Sequence, residues 1–168
     1  MHLLRKVQRK RGVTLQELPI IHMKTKKDPR HQSRVIAIQR LFEHLFRNEE
    51  NESNWSAEGL LHTDETLKHD AELVEKLESG VSDNLEEIDQ IIEKYATERP
   101  IDQMSKIDHQ ILRIAVYEGF VGKITPPKVT IDEAVELGRE FAGETSAKFI
   151  NGVLGKLFET QAADEHSK

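Results

Sequence analysis

In five stretches of this 168-residue chain the apolar residues recur at steps of three and four, and nowhere do they alternate over a useful length. Ile38, Leu41, Phe42 and Leu45 form the first set, with Arg34 one turn earlier. Leu67, Ala71, Val74, Leu77, Val81, Leu85, Ile88, Ile92 and Tyr95 form the second. Ile111, Leu112, Ala115 and Val116 follow, then Ala134, Val135, Leu137 and Phe141, and finally Phe149, Ile150, Val153, Leu154, Leu157 and Phe158. Such spacing lays one apolar stripe along each helix, so the fold is all-α, and no repeat of 20 to 50 residues marks a solenoid.

Local signals place the helix ends. Asp28-Pro29 opens the first helix, because Asp caps exposed amides and Pro has no N–H to leave unsatisfied. Gln39, Arg40, Glu43 and Arg47 are expected on its solvent face. Residues 48–62 are polar and aperiodic and read as a long connection in which only Trp55, Leu60 and Leu61 need burial. The second set predicts one helix from Thr66 to Arg99-Pro100, on the order of 45 Å long, in which Gly80 costs stability unless it permits close packing. Ser105 with Asp108, and Thr130 with Glu133, read as capping boxes for the next two helices. Gly119, Gly122, Pro126 and Pro127 enforce a turn between them. The last helix begins near Thr145.

Charge is divided unevenly. Residues 1–47 carry 12 Lys and Arg against three acids, whereas residues 48–168 carry 12 against 27, although the net charge is only −6. A basic arm on an acidic body is the pattern of a chain that meets an anionic partner; a plain solvated tail is the bland alternative. The division expected is an arm over 1–27, a helical domain over 28–160 and a polar tail over 161–168. Met23 would itself serve as a start, so residues 1–22 read either as an extension or as the result of a misplaced start codon. No stretch approaches the roughly 20 apolar residues of a membrane span, no secretory signal is recognisable, and a cytoplasmic protein is expected.

Catalytic patterns are nearly lacking. The chain has no cysteine, hence no disulfide, thiolate metal site or cysteine nucleophile. It has no phosphate-binding loop, HExxH or EF-hand, and of its eight histidines only His62 and His69 lie close together. No catalytic residue, metal or cofactor is expected. The remaining candidate is the segment Lys24, Lys26, Lys27, Arg30, His31, Gln32, Arg34, in which cations neutralise phosphates and Gln and His offer hydrogen bonds to bases. A reader of unstacked bases also needs a flat ring, and Phe149 or Trp55 offers one, although Phe149 reads on spacing alone as a core aromatic.

The runs IDHQILRIAVYEG (107–119), PPKVTIDEAVELGREF (126–141) and KFINGVLGKL (148–157), preceded by SRVIAIQRLFEHLF (33–46), closely resemble the NusB family of bacterial transcription antitermination factors over about residues 24–160. The resemblance implies about seven helices in two small bundles and no enzymatic activity. It implies binding of single-stranded boxA-type RNA of ribosomal leader transcripts together with NusE, a ribosomal protein, and assembly with other Nus factors on RNA polymerase. By the same resemblance Lys24, Lys26, Lys27, Arg30, His31, Gln32 and Arg34 match an Arg-rich arm, and Lys148 and Phe149 match positions that meet RNA. Phe42, where the family has Tyr, and Asp108 match positions facing NusE. His31 and Gln32 stand where arginines are common. Arg113 and Asn151 read as structural, the first paired with a helix acid and the second satisfying backbone groups. Two other readings remain open, a helical protein–protein adaptor and a detached accessory module of an RNA methyltransferase, and a homodimer is compatible with each.

Overall fold

The computed structural model describes residues 28–50 and 68–168, which form six α-helices and no strand. Lys24, Lys26, Lys27, Trp55, Leu60, Leu61, Thr66 and Leu67 lie outside the described residues. The helices are α1 (Pro29–Glu50), α2 (Ala71–Asp83), α3 (Leu85–Tyr95), α4 (Lys106–Val116), α5 (Pro127–Ala142) and α6 (Glu144–His166). A short 3-10 turn, Ile101–Gln103, precedes α4, and a π-helical turn, Tyr117–Val121, extends it.

Asp28 caps α1 as expected, its Oδ1 accepting from the Arg30 N–H at 2.9 Å. The water-facing side expected of this helix is narrower than its sequence suggests, because Gln39 and Glu43 are buried and only Arg40 of the described positions on that side is well exposed. Arg40 and His44 both reach Glu78 on α2, at 3.2 and 3.0 Å.

The single helix expected through residues 66–99 is two helices. Asp70 caps α2 by accepting from Leu73 N at 3.1 Å, and the chain leaves helical geometry at Asn84. There the side-chain amide and the backbone N–H of Asn84 both donate to the Gly80 carbonyl, at 2.8 and 3.2 Å, closing α2 on its last turn. α3 then ends at Tyr95, one turn before Arg99-Pro100. Gly80 does permit close packing: a Cβ there would overlap the Tyr117 ring.

Ser105 caps α4, accepting from Asp108 N at 3.1 Å. The second capping box does not form. Pro127 occupies the first turn of α5, so the helix starts three residues before Thr130, whose hydroxyl donates back to the Pro126 carbonyl at 3.3 Å. This leaves Glu133 free of a capping role. At the other end of the chain α6 continues through residues 161–166, expected as a tail, in a stretch without Gly or Pro to stop it.

α4 is the hub. It is buried from Gln110 to Val116 and touches all five other helices. α1 and α2 pair with each other and with α4, while α5 and α6 pair along their length and also meet α4. One apolar cluster runs through both groups, from Val35 and Ile38 on α1 through Leu112 and Val116 to Leu137, Ile150 and Leu154. Gly138 sets the α5–α6 approach, since a Cβ there would fall 2.6 Å from Ile150 Cδ1. Arg113 pairs with an acid as expected, gripping Asp89 on α3 at 2.8 and 2.6 Å. Burial opposes ionisation of Asp89, but hydrogen bonds from Arg113 and His109 prevail and lower its pKa to about 2. Asn151 is exposed on α6 rather than bound to backbone groups.

Candidate nucleic-acid interface

The candidate residues fall on two helices, and the structure treats the two sets differently. On α1, Arg30 is exposed, with its Nη2 3.5 Å from Thr125 Oγ1. The next three residues turn inward. His31 is 1% exposed, Gln32 is buried, and Arg34, one helical turn beyond Arg30, is buried as well.

Each inward cation meets carboxylates from distant parts of the chain. Arg34 holds Glu118 of the π-helical turn through Nε, at 3.2 and 3.0 Å, and through Nη2 at 2.6 Å. Its Nη1 lies 3.4 Å from Glu133 on α5. Thr125 donates to the same Glu118 at 2.7 Å, so this buried carboxylate is satisfied from two directions. His31 lies between two glutamates of α5, with Nδ1 3.2 Å from Glu133 and Nε2 2.9 Å from Glu140. Ionised carboxylates only accept hydrogen bonds, so both ring nitrogens are satisfied together only when both carry protons. The hydrogen bond to Glu133 raises the His31 pKa, burial opposes it, and the Glu140 charge raises it further. The imidazolium is the form that fits.

These side chains cannot present their charge to a polyanion without first leaving their carboxylates. His31 and Arg34 are therefore placed as anchors near the start of α1 rather than as exposed contacts, and Gln32 is buried beside them. The anchoring is mechanical as well as electrostatic: Ser33 between them accepts from Asp70 N at 2.8 Å, tying the same turn of α1 to the cap of α2. The two glutamates lie at opposite nitrogens of the His31 ring and so do not converge on one point. Among the described residues no group of three or more His, Asp or Glu is arranged to hold a metal ion.

On α6, Lys148 is exposed and Phe149 is 8% exposed. Phe149 belongs to the apolar core, yet it also carries the Arg99 guanidinium, 4.9 Å from its ring centroid. Asp108 is 1% exposed, and its Oδ2 lies 4.0 Å from Arg99 Nη1. Phe42 is buried on α1. Neither of the two residues expected to face a protein partner thus reaches the surface, because each lies on the packed side of its helix. α5 links the two sets: it holds His31 through Glu133 and Glu140 and packs along α6. The sequence gave no site role to Glu118, Glu140 or Arg99, read Arg99 only as a helix end, and gave Glu133 a capping role. No helix among the described residues is long and apolar enough to cross a membrane.

Comparison with known proteins follows the same lines. The NusB family model matches residues 31–159. The transcription antitermination protein NusB of Chloroflexus aggregans is 35% identical, over 82% of this chain and 92% of that protein. That of Clostridium acetobutylicum is 38% identical, over 76% and 93%. Among solved structures, T. maritima NusB is 34% identical with a TM-score of 0.59, covering 80% of this chain and 91% of that one. A chain from a crystal structure of antitermination factors NusB and NusE in complex with double-stranded RNA is 26% identical with a TM-score of 0.61, covering 77% and 96%. With a family model matching residues 31–159 and relatives 35% and 38% identical over most of its length, the chain belongs to the NusB family.

Proposed function

We propose that this chain is a non-catalytic transcription antitermination factor that binds single-stranded boxA-type RNA of ribosomal leader transcripts together with NusE, and that the pair joins the other Nus factors on RNA polymerase in the cytoplasm. The observation that carries this reading is the likeness, spanning 96% of that chain, to a chain from a structure of NusB and NusE with double-stranded RNA; the single-stranded boxA-type target follows from the family resemblance. The exposed cations fit it. Arg30 and Lys148 offer charge to phosphates, and Lys24, Lys26 and Lys27 extend that charge along the arm. Phe149 supplies the ring for one unstacked base. His31, Gln32 and Arg34 serve the same end indirectly, by fixing where the arm leaves the body. Phe42 and Asp108 shape the NusE-facing surface from beneath, and the acid-rich helices suit a basic ribosomal protein.

The test is the affinity for boxA-type and scrambled RNA across a salt series, with and without NusE. The expected result is a preference for boxA that NusE increases, and a log–log salt slope of about −0.7 per phosphate contacted. Equal affinity for the two RNAs contradicts sequence-specific binding.

A further inference from the structure

Phe149 is the ring that the proposed function assigns to a base, and one of its faces is already occupied. Arg99 lies on the connection between α3 and the 3-10 turn, with a side chain 40% exposed and its guanidinium 4.9 Å from the ring centroid. Its other hold among the described residues is Asp108, at 4.0 Å, which is beyond hydrogen-bond distance. Asp108 Oδ1 meanwhile has no hydrogen-bond partner among the described residues. Arg99 is thus retained by an aromatic face and one long ion pair, whereas Arg34 and Arg113 are each locked by short bonds to a carboxylate. A second contact, between side chains, joins the same connection to α6: Lys156 Nζ lies 3.5 Å from Thr97 Oγ1. The guanidinium of Arg99 is thus the loosely held part of this region.

We infer that Arg99 is an RNA-binding residue, the outer jaw of a clamp whose inner jaw is Phe149 and whose occupant is a single unstacked base. The inference rests on the RNA-binding reading above and deepens it. A base between ring and guanidinium needs about 7 Å, twice the roughly 3.4 Å rise of stacked bases. Arg99 has to retreat by about 2 Å, a movement that an exposed four-bond side chain makes without disturbing the core. Once back, its planar head stacks on the far face of the base, as guanidinium groups do in single-stranded RNA recognition, and its charge faces the adjoining phosphate. Lys148, exposed one residue before Phe149 on α6, is a further cation on that helix.

The test compares wild type, Arg99→Ala and Arg99→Lys for binding to boxA-type RNA and to a series carrying one abasic nucleotide at successive positions. Wild type is expected to lose about tenfold at one position of the series. Arg99→Ala should bind the intact RNA about tenfold more weakly and show a smaller abasic penalty at that position. Arg99→Lys should keep the wild-type salt slope, because the charge is retained, without recovering the tenfold, because the plane is not. Arg99→Ala binding as tightly as wild type, or more tightly, overturns the clamp and makes Arg99 a bystander or a cover. Failure of wild type to bind any RNA removes the RNA-binding reading and the clamp together, so the two failures are distinguishable.

Discussion

The root of the arm and the start of α6 both carry cations, but they use them in opposite ways. At the root, Arg34 and His31 lie under the surface with Glu118, Glu133 and Glu140 against them, and their charge is cancelled where it stands. At α6, Lys148 is exposed and the Phe149 ring carries Arg99. A count of basic residues along the sequence treats these as one resource. Burial separates them into charge that holds the fold and charge that is free to meet a partner, because an ion taken out of water must be paired at once whereas an exposed one need not be.

The strongest way to break this contrast is Glu118→Gln. It leaves the buried Arg34 guanidinium without its principal counter-charge, and a loss of about 3–5 kcal/mol in urea denaturation is expected; a loss under about 1 kcal/mol would mean that the pair is not structural. Next is His31→Gln, for which about 1.5–3 kcal/mol is expected near pH 6, where two charge-assisted hydrogen bonds disappear. The sign with pH is fixed by the raised His31 pKa. The imidazolium contributes fully below the ordinary value of about 6.5, and its contribution is lost as pH rises through the folded-state value, so wild type and variant should converge in alkaline denaturation curves. A gap that widens instead would place a neutral ring between the glutamates. The smallest effect is expected for Lys148→Ala, whose melting should imply a change within about 0.5 kcal/mol of wild type.

What the sequence revealed and what it hid follow from the range of the interactions. Asp28 and Ser105 were legible as caps because a cap bonds two or three residues on, within one window of sequence. The NusB resemblance supplied the family and the helical architecture, since whole motifs in order carry more information than any one spacing. The break at Asn84 was invisible because Val81, Leu85 and Ile88 keep the spacing of one stripe in the sequence, although the structure buries Val81 and Ile88 and leaves Leu85 exposed. Thr130 and Glu133 matched a capping pattern one turn inside the helix, where Pro127 had already set the start. The inward turn of Arg34 could not be read at all, since its partners lie 84 and 99 residues away and only the packing of α4 and α5 brings them to α1. Arg99 was missed for the same reason: beside Pro100 it looked like a residue at a helix end, and its ring partner belongs to another helix.

The most direct test of the division between structural and available charge is the salt dependence of RNA affinity for His31→Gln and Lys148→Ala measured side by side, near pH 6 and with both variants folded. The account predicts the wild-type slope for His31→Gln, whose cation never faces solvent, and a slope shallower by about 0.7 for Lys148→Ala, which loses one phosphate contact. A shallower slope for His31→Gln with an unchanged one for Lys148→Ala would contradict it.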